Sequence, residues 1–221
     1  MNMRLPRLAV FDLAGTTIQD DGTVAAVFKE VLTADGIGST SEEIARVRGA
    51  AKREAFRRLA KDPAQAERLY KNFIDGIRQR YTSNPPVEVP GTSKTFSWLR
   101  AQGVKIALNT GFERDTVAML LAALGWGSAL IDAVVCGDEV PAGRPSPAMI
   151  LEAMRRTGVA DPAAVMVFGD TVLDLEAGTA AKAGWVVGVL SGAHDRARLS
   201  KAPHTHLLSS VAEIPKIFME A

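Results

Sequence analysis

The sequence predicts an α/β protein: a doubly wound parallel sheet with an inserted α-helical cap. Short apolar runs of strand length alternate with amphipathic helical segments, and one long helix-prone region interrupts this alternation after the first run. Strands that are buried on both faces of a parallel sheet read as almost continuous apolar runs. We therefore predict strands over residues 8–11, 105–109, 133–136, 165–168 and 184–189.

Helices are predicted between these strands and in the interrupting region. The amphipathic segments between the strands are residues 92–102, 114–124, 147–157 and 174–183. Those of the interrupting region are residues 24–35, 41–61 and 64–81, with Ser41 as a helix cap. Residues 82–90, which include three prolines, are typical of a linker. The predicted organisation is an α/β core of residues 1–16 and 91–221 and a helical cap of residues 17–90.

The composition limits the partners and the compartment. The 221-residue chain has a net charge of +1, which favours neither nucleic acid nor an acidic membrane surface. Its single cysteine, Cys136, excludes an internal disulfide framework and is typical of a reducing compartment. We find no signal-peptide pattern and no apolar stretch that approaches the ~20 residues of a transmembrane helix. We therefore expect a cytoplasmic protein that acts without nucleic acid or membrane.

Asp12 ends the first apolar run and is followed at once by Leu-Ala and a Gly-Thr-Thr turn. This places its carboxylate at the carboxyl end of a buried strand, where open α/β sheets bind their ligands. Such a carboxylate can attack phosphorus and form an aspartyl-phosphate, or it can cap the following helix. For Asp12 alone both interpretations stay open, and three further segments favour the nucleophile.

Two of these segments supply groups suited to a phosphoryl ligand. Thr110 and Gly111 follow the second strand, where a hydroxyl and a backbone amide can donate hydrogen bonds to phosphoryl oxygens. Arg144 lies in a Gly-Arg-Pro turn before a predicted helix and could neutralise both Asp12 and an incoming phosphoryl group. A helix cap and a surface arginine are the respective alternatives.

The third segment places Asp170, Thr171 and Asp174 directly after the predicted strand 165–168. Mg²⁺ prefers oxygen ligands in octahedral geometry and keeps several of its waters. Asp12 and Asp170 could supply two ligands and the backbone carbonyl of Ala14 a third, while Asp174 and Thr171 would orient them. Asp174 alone can also be a helix cap. The sequence therefore predicts Mg²⁺ as the cofactor.

Together and in this order, the four segments resemble the haloacid dehalogenase superfamily of phosphohydrolases. The family pattern is Asp-x-Asp-x-Thr, then Ser/Thr, then Lys/Arg, then a Gly-Asp-x-x-x-Asp type segment, and the resemblance covers residues 5–17 and 91–215. The family's usual second aspartate is Ala14 here. The Asp-Leu-Ala-Gly-Thr-Thr run from Asp12 and the Asp-Glu-Val-Pro-Ala-Gly-Arg-Pro run from Asp138 resemble the phosphonatase branch of that superfamily.

The phosphonatase resemblance implies a role for Lys52. In that branch a lysine of the helical cap forms a Schiff base with an aldehyde substrate, and Gly-Ala-Ala-Lys52 matches the branch's Gly-Leu-Leu-Lys. Cleavage of a phosphorus–carbon bond leaves a carbanion, which an imine to Lys52 would stabilise as an enamine without any acid at position 14. Arg48 and Arg53 could lower the pKa of Lys52. The alternative for Lys52 is a solvated residue of an arginine-rich helix.

Three departures from the branch concern substrate choice. Ala55, Arg48 and Phe112 stand where the branch has histidine, methionine and tyrosine. Arg48 and Arg53 would suit an extra carboxylate on the substrate, so Arg48 is predicted to bind substrate. The preferred prediction is a Mg²⁺-dependent hydrolase that cleaves the carbon–phosphorus bond of a small phosphonate such as phosphonoacetaldehyde.

Two alternatives stay open beside this prediction. One is a phosphate-monoester hydrolase or phosphomutase of the same superfamily, although Ala14 removes the acid that would protonate an alkoxide leaving group. The other is a non-catalytic scaffold that binds phosphorylated ligands. The resemblance also implies a homodimer.

Overall fold

The computed structural model describes residues 5–40 and 52–219, and in them six parallel strands form one sheet. The spatial order of the strands is β3-β2-β1-β4-β5-β6, with β1 at the centre of the sheet. The strands are β1 (Leu8–Asp12), β2 (Lys105–Thr110), β3 (Ala133–Cys136), β4 (Val165–Gly169), β5 (Trp185–Val189) and β6 (His206–Leu208).

Helices surround this sheet and fill the region after β1. They are α1 (Thr23–Ala34), α2 (Lys52–Leu59), α3 (Pro63–Ser83), α4 (Thr92–Ala101), α5 (Arg114–Leu124), α6 (Ala148–Thr157), α7 (Val172–Ala180), α8 (Arg196–Leu199) and α9 (Ile214–Met219). Helix α6 packs on β1, β2 and β3, and α7 packs on β4 and β5. Helix α4 packs on β2.

Strand β1 is buried on both faces, which explains its uninterrupted apolar sequence. Side chains alternate between the two faces of a strand. Leu8 and Val10 accordingly belong to the apolar cluster beneath α6, whereas Ala9 and Phe11 belong to the larger cluster on the opposite face. On that face the ring of Phe11 stacks on Phe168 with centroids 4.4 Å apart. The sheet is therefore doubly wound, as the sequence predicted.

The described residues between β1 and α4 are mostly helical, and the two connections of this region to the sheet run side by side. Helix α3 contacts both α1 and α2, with Phe28, Phe56 and Phe73 in mutual ring contact between them. Next to the sheet, Ile18 forms an antiparallel bridge with Glu88, and the backbone N–H of Val89 donates to the carbonyl of Thr17. The outgoing and returning chains are thus fastened together where they meet the sheet.

The strands and most helices lie where the sequence predicts them, with shifts of a few residues at several ends. Helix α7 begins at Val172, before the predicted 174, because the Asp174 carboxylate accepts a 3.0 Å bond from the N–H of Thr171 and closes the first turn. Helix α3 continues to Ser83, into the predicted linker. The three-residue strand β6 was not predicted, since it is too short to show an alternating pattern. The predicted helix start at Ser41 lies outside the described residues.

Across residues 5–40 and 52–219, none of the helices combines the length and the apolar character that spanning a bilayer would require.

Candidate active site

The carboxyl ends of the three central strands bring the predicted residues to one edge of the sheet. In the strand register, Asp12 of β1 is opposite Asn109 of β2, and Phe11 is opposite Phe168 of β4. Thr110 and Asp170 therefore follow on either side of Asp12. A small cavity of about 40 Å³ opens at this edge. Its described lining is Asp12, Ala14, Asp20, Val24, Lys52, Thr110, Gly111, Phe112, Arg144, Asp170, Thr171 and Ala193.

Asp12 is buried, with 5% of its surface exposed, and it faces a fixed cation. Nη2 of Arg144 donates a hydrogen bond of 2.6 Å to Oδ1 of Asp12. Burial raises the pKa of Asp12 to about 6, and the Arg144 guanidinium opposes that rise. An ionised carboxylate at this position is held by one arginine, which favours its orientation toward the cavity.

Arg144 connects the ends of β1 and β2 with the first turn of α7. Its Nε lies 2.8 Å from Oδ1 of Asp174. Its Nη2 also donates to the carbonyl oxygen of Asn109 at 2.8 Å and to that side chain's Oδ1 at 2.9 Å. Neighbouring carboxylates raise the pKa of the guanidinium despite its burial, so it stays charged. The arginine therefore carries a permanent positive charge beside the buried carboxylates of Asp12 and Asp174.

Thr110 and Gly111 form the turn that leaves β2 at the cavity. Thr110 is almost fully buried, and the N–H of Phe112 donates a 3.2 Å bond to its Oγ1. Gly137 closes on this turn, and a Cβ there would lie 3.1 Å from the carbonyl oxygen of Gly111. The bond from Phe112 leaves the hydroxyl hydrogen of Thr110 available for a ligand, as a phosphoryl oxygen requires.

Asp170 lies in a cradle of backbone that only glycine can form. A Cβ at Gly15 would lie 2.4 Å from Oδ2 of Asp170, and one at Gly192 would lie 2.1 Å from the same atom. That Oδ2 accepts a 2.6 Å hydrogen bond from the N–H of Ala193. Burial raises the pKa of Asp170 to about 8, and the charges of Asp12 and Asp174 add to this rise.

The donor set of the cavity fits a hard divalent cation. The pKa values of the buried carboxylates Asp12 and Asp170 are raised. A bound cation would therefore stabilise their ionised forms. Ala14 lines the same cavity. Among the described residues, no N–H or O–H donates to its carbonyl oxygen. Within that part of the chain no cluster of three or more acidic, histidine or cysteine residues forms a metal cage. Two carboxylates with one carbonyl suit Mg²⁺, because that ion retains several waters.

Thr171 and Asp174 follow Asp170 and form the start of α7. Oγ1 of Thr171 donates a 2.6 Å hydrogen bond to Oδ2 of Asp174, whose other oxygen holds Arg144. Asp174 is therefore both a helix cap, one of the two interpretations of its sequence position, and the partner of the arginine.

Lys52 reaches the cavity from the helical region, as the first residue of α2. Its side chain is buried, with 8% of the residue exposed. The next residue, Arg53, is turned aside: it pairs with Glu67 at 3.0 Å and lies 4.6 Å from the ring centroid of Tyr70. Arg48, the other cation predicted beside Lys52, lies outside the described residues.

Two polar residues of the site, Asn109 and Asp20, were not predicted from the sequence. Asn109 positions Arg144 through its side chain and carbonyl, and its place at the end of an apolar run was the available signal. Asp20 lines the cavity together with Lys52. It follows the Gly-Thr-Thr turn by three residues, and nothing in that polar stretch separates it from its neighbour Asp21.

The chain is similar to known hydrolases along most of its length. The family profile of haloacid dehalogenase-like hydrolases matches residues 6–182. A phosphonoacetaldehyde hydrolase of Bacteroides fragilis is 29% identical over 96% of this chain and 88% of its own length. That of Hahella chejuensis is 34% identical over 84% of this chain and 68% of its own length.

Solved structures show the same fold. A hydrolase from Pseudomonas syringae is 25% identical, with a TM-score of 0.87 over 97% of this chain and 98% of its own. A β-phosphoglucomutase from Clostridium difficile shares the fold alone, at 17% identity and a TM-score of 0.81 over 98% of both chains. The chain belongs to the haloacid dehalogenase-like hydrolases, and its relatives confirm its similarity to the phosphonatase branch.

Proposed function

We propose that this hydrolase cleaves the carbon–phosphorus bond of a small phosphonate such as phosphonoacetaldehyde, with Asp12 as nucleophile and Lys52 as Schiff-base residue. The observation that carries the proposal is the composition of one cavity: it contains Asp12 and Lys52, and it has Ala14 where most of the superfamily has its acid. The relatives named phosphonoacetaldehyde hydrolase support the same substrate.

Ala14 disfavours the hydrolysis of phosphate esters. An alkoxide leaving group needs a proton, and a positioned general acid contributes ~10²–10⁴-fold to such a reaction. A methyl group cannot supply it. A carbon leaving group has no bridging oxygen to protonate, so the loss of the acid costs that reaction nothing.

Lys52 supplies what a carbon leaving group needs. Its amine condenses with the substrate aldehyde and releases one water, which gives an iminium ion. Asp12 then attacks phosphorus, the phosphorus–carbon bond breaks, and its electron pair moves into the iminium to give an enamine. Protonation on carbon and addition of water release acetaldehyde and Lys52, and a further water hydrolyses the aspartyl-phosphate. The sum is one water consumed for one phosphate and one acetaldehyde.

Other residues of the cavity would bind the phosphoryl group and the metal ion. Thr110 and the Gly111 amide would donate to phosphoryl oxygens, and Arg144 would balance the charge of Asp12 and the phosphoryl group. Asp12, Asp170 and the Ala14 carbonyl would hold Mg²⁺, which when bound neutralises phosphoryl charge. Residues 17–90 would act as a cap that closes the cavity against water over the core of residues 1–16 and 91–221. We place the enzyme in the cytoplasm.

The test is release of phosphate and acetaldehyde from phosphonoacetaldehyde with Mg²⁺. We expect equal amounts of both products from the native enzyme, none from Lys52→Arg, and native turnover from Lys61→Arg, which changes an exposed lysine just beyond α2. Absence of products from the native enzyme would overturn the substrate. Undiminished turnover by Lys52→Arg would overturn the role of that lysine.

A further inference from the structure

The cavity contains one carboxylate that the proposed mechanism does not use. Of the described residues that line it, five carry titratable side chains: Asp12, Asp20, Lys52, Arg144 and Asp170. Asp12 must stay ionised to attack phosphorus, Asp170 is committed to the cation, and Arg144 keeps its proton. Asp20 is the remaining group that can accept and return a proton.

Asp20 lines the same small cavity as Lys52. It lies in the connection from β1 to α1, four residues before Val24 of α1, which also lines the cavity. The N–H of Gly22 donates a 3.0 Å hydrogen bond to Oδ1 of Asp20, which fixes the carboxylate in this half-buried turn. The backbone of the turn therefore holds the Asp20 carboxylate in place.

Imine formation requires a proton acceptor at this place. A lysine ammonium has no lone pair, so it must lose a proton before it attacks a carbonyl. The hydroxyl of the resulting carbinolamine must then gain a proton to leave as water. At the position of the histidine that the phosphonatase branch carries three residues after its lysine, this chain has Ala55, which is buried at 1% exposure.

We infer that Asp20 is the proton-transfer residue of Lys52, an inference that rests on the proposed function. The Asp20 carboxylate takes one proton from the Lys52 ammonium, and the freed amine forms the carbon–nitrogen bond to the aldehyde. A proton passes within the adduct from nitrogen to oxygen. Asp20 returns its proton to the hydroxyl, the carbon–oxygen bond breaks, and water leaves. The balance is ammonium plus aldehyde giving iminium plus water, with Asp20 regenerated. The same steps in reverse release the product.

The chain offers a matched control in the adjacent residue. The carboxylate of Asp21 accepts a 2.9 Å hydrogen bond from the N–H of Thr23 in the same turn, but Asp21 is exposed and is not part of the described cavity lining. Asn at either position keeps the oxygen that accepts the backbone bond and removes the ability to carry a proton. A difference between the two variants therefore reports on the cavity and not on the turn.

The experiment compares the native enzyme with Asp20→Asn, Asp20→Glu and Asp21→Asn on two substrates. Phosphonoacetaldehyde requires the imine, whereas acetyl phosphate has a good leaving group and requires only Asp12. We expect Asp20→Asn to lower phosphonoacetaldehyde turnover by ~10²-fold or more. Its rate of borohydride trapping on Lys52 should fall in parallel, and acetyl phosphate hydrolysis should stay near native. Asp20→Glu should recover part of the loss, and Asp21→Asn should match the native enzyme.

Each other outcome overturns the inference. Equal turnover of phosphonoacetaldehyde by Asp20→Asn and Asp21→Asn would show that Asp20 transfers no proton. A parallel loss of acetyl phosphate hydrolysis in Asp20→Asn would show a general effect on the site. If the native enzyme leaves phosphonoacetaldehyde intact, the proposed function itself fails. Turnover by the native enzyme is therefore measured before any variant is made.

Discussion

The hydroxyl of Tyr70 in α3 donates a 3.1 Å hydrogen bond to Oε2 of Glu113, the residue that immediately precedes α5. Glu113 comes three residues after Thr110, so the bond joins the helical region to the loop that borders the phosphoryl-binding turn. Arg78 of α3 adds ion pairs of 3.5 Å to Glu113 and 3.3 Å to Asp115. These contacts fasten α3 to the sheet side of the cavity, and α3 in turn carries α2 and Lys52.

We expect Tyr70→Phe to loosen this connection without unfolding the protein. The loss of one partly buried hydrogen bond to a charged group costs about 1.5–3 kcal/mol in the free energy of unfolding, and the Arg78 pairs remain. Urea unfolding measures the loss. Tyr81→Phe on the same helix is the control, because the Tyr81 hydroxyl makes no hydrogen bond to the described residues. Equal stabilities of the two variants would contradict a role for the Tyr70–Glu113 bond.

Arg144→Ala is expected to be among the most destabilising single changes in the chain. It would leave Asp12 and Asp174 buried without their shared cation, and removal of one partner of a buried pair costs about 3–5 kcal/mol. Arg155→Ala is the matched control, since it breaks the ion pair with Glu152 in which the Arg155 side chain is 73% exposed. Such surface substitutions change the free energy of unfolding by no more than about 0.5 kcal/mol. Similar midpoints in chemical denaturation would contradict the assigned burial of the Arg144 charge.

Mg²⁺ should stabilise the protein more at alkaline than at acidic pH. The folded pKa values of Asp12 and Asp170, about 6 and about 8, lie above the usual value of 3.8. Both groups thus favour the folded state fully below their unfolded pKa, and this contribution is lost as pH rises through about 6 and then about 8. The cation binds the ionised carboxylates and reverses that loss.

Thermal denaturation with and without Mg²⁺ tests this linkage. The increase in Tm caused by Mg²⁺ should grow between about pH 5 and about pH 9 and should disappear in Asp170→Asn. An increase that is independent of pH, or one that survives in Asp170→Asn, would contradict the assignment of Asp170 to the cation.

Ala14→Asp should shift the enzyme toward phosphate esters. A carboxylic acid at this position can protonate an alkoxide leaving group, so we expect hydrolysis of a small phosphate monoester to rise by up to ~10²–10⁴-fold. Ala14→Asn controls for size, because it cannot supply a proton. Steady-state rates of phosphate release measure the change. Equal ester hydrolysis by the two variants would mean that position 14 does not face the leaving group.

The sequence predicted the sheet and most of its edge because the apolar runs end in the functional residues. Asp12, Thr110 and Asp170 each follow such a run, and parallel strands bring their carboxyl ends together. Asp20 could not be predicted in this way, since its place in the same cavity as Lys52 depends on how α1 and α2 each pack on α3. Lys52 itself emerged only through a resemblance, because one lysine in an arginine-rich helix has no distinguishing pattern. The short strand β6 depends on its neighbour β5 and on no signal of its own.

The most direct test of the proposed Schiff base is the covalent capture of Lys52 by substrate. Borohydride is added to the native enzyme with phosphonoacetaldehyde, and peptide mass spectrometry locates the alkylated lysine. We expect modification at Lys52 alone, dependent on substrate and abolished by Lys52→Arg. Turnover of phosphonoacetaldehyde with no lysine captured, or capture at a lysine outside the cavity, would contradict it.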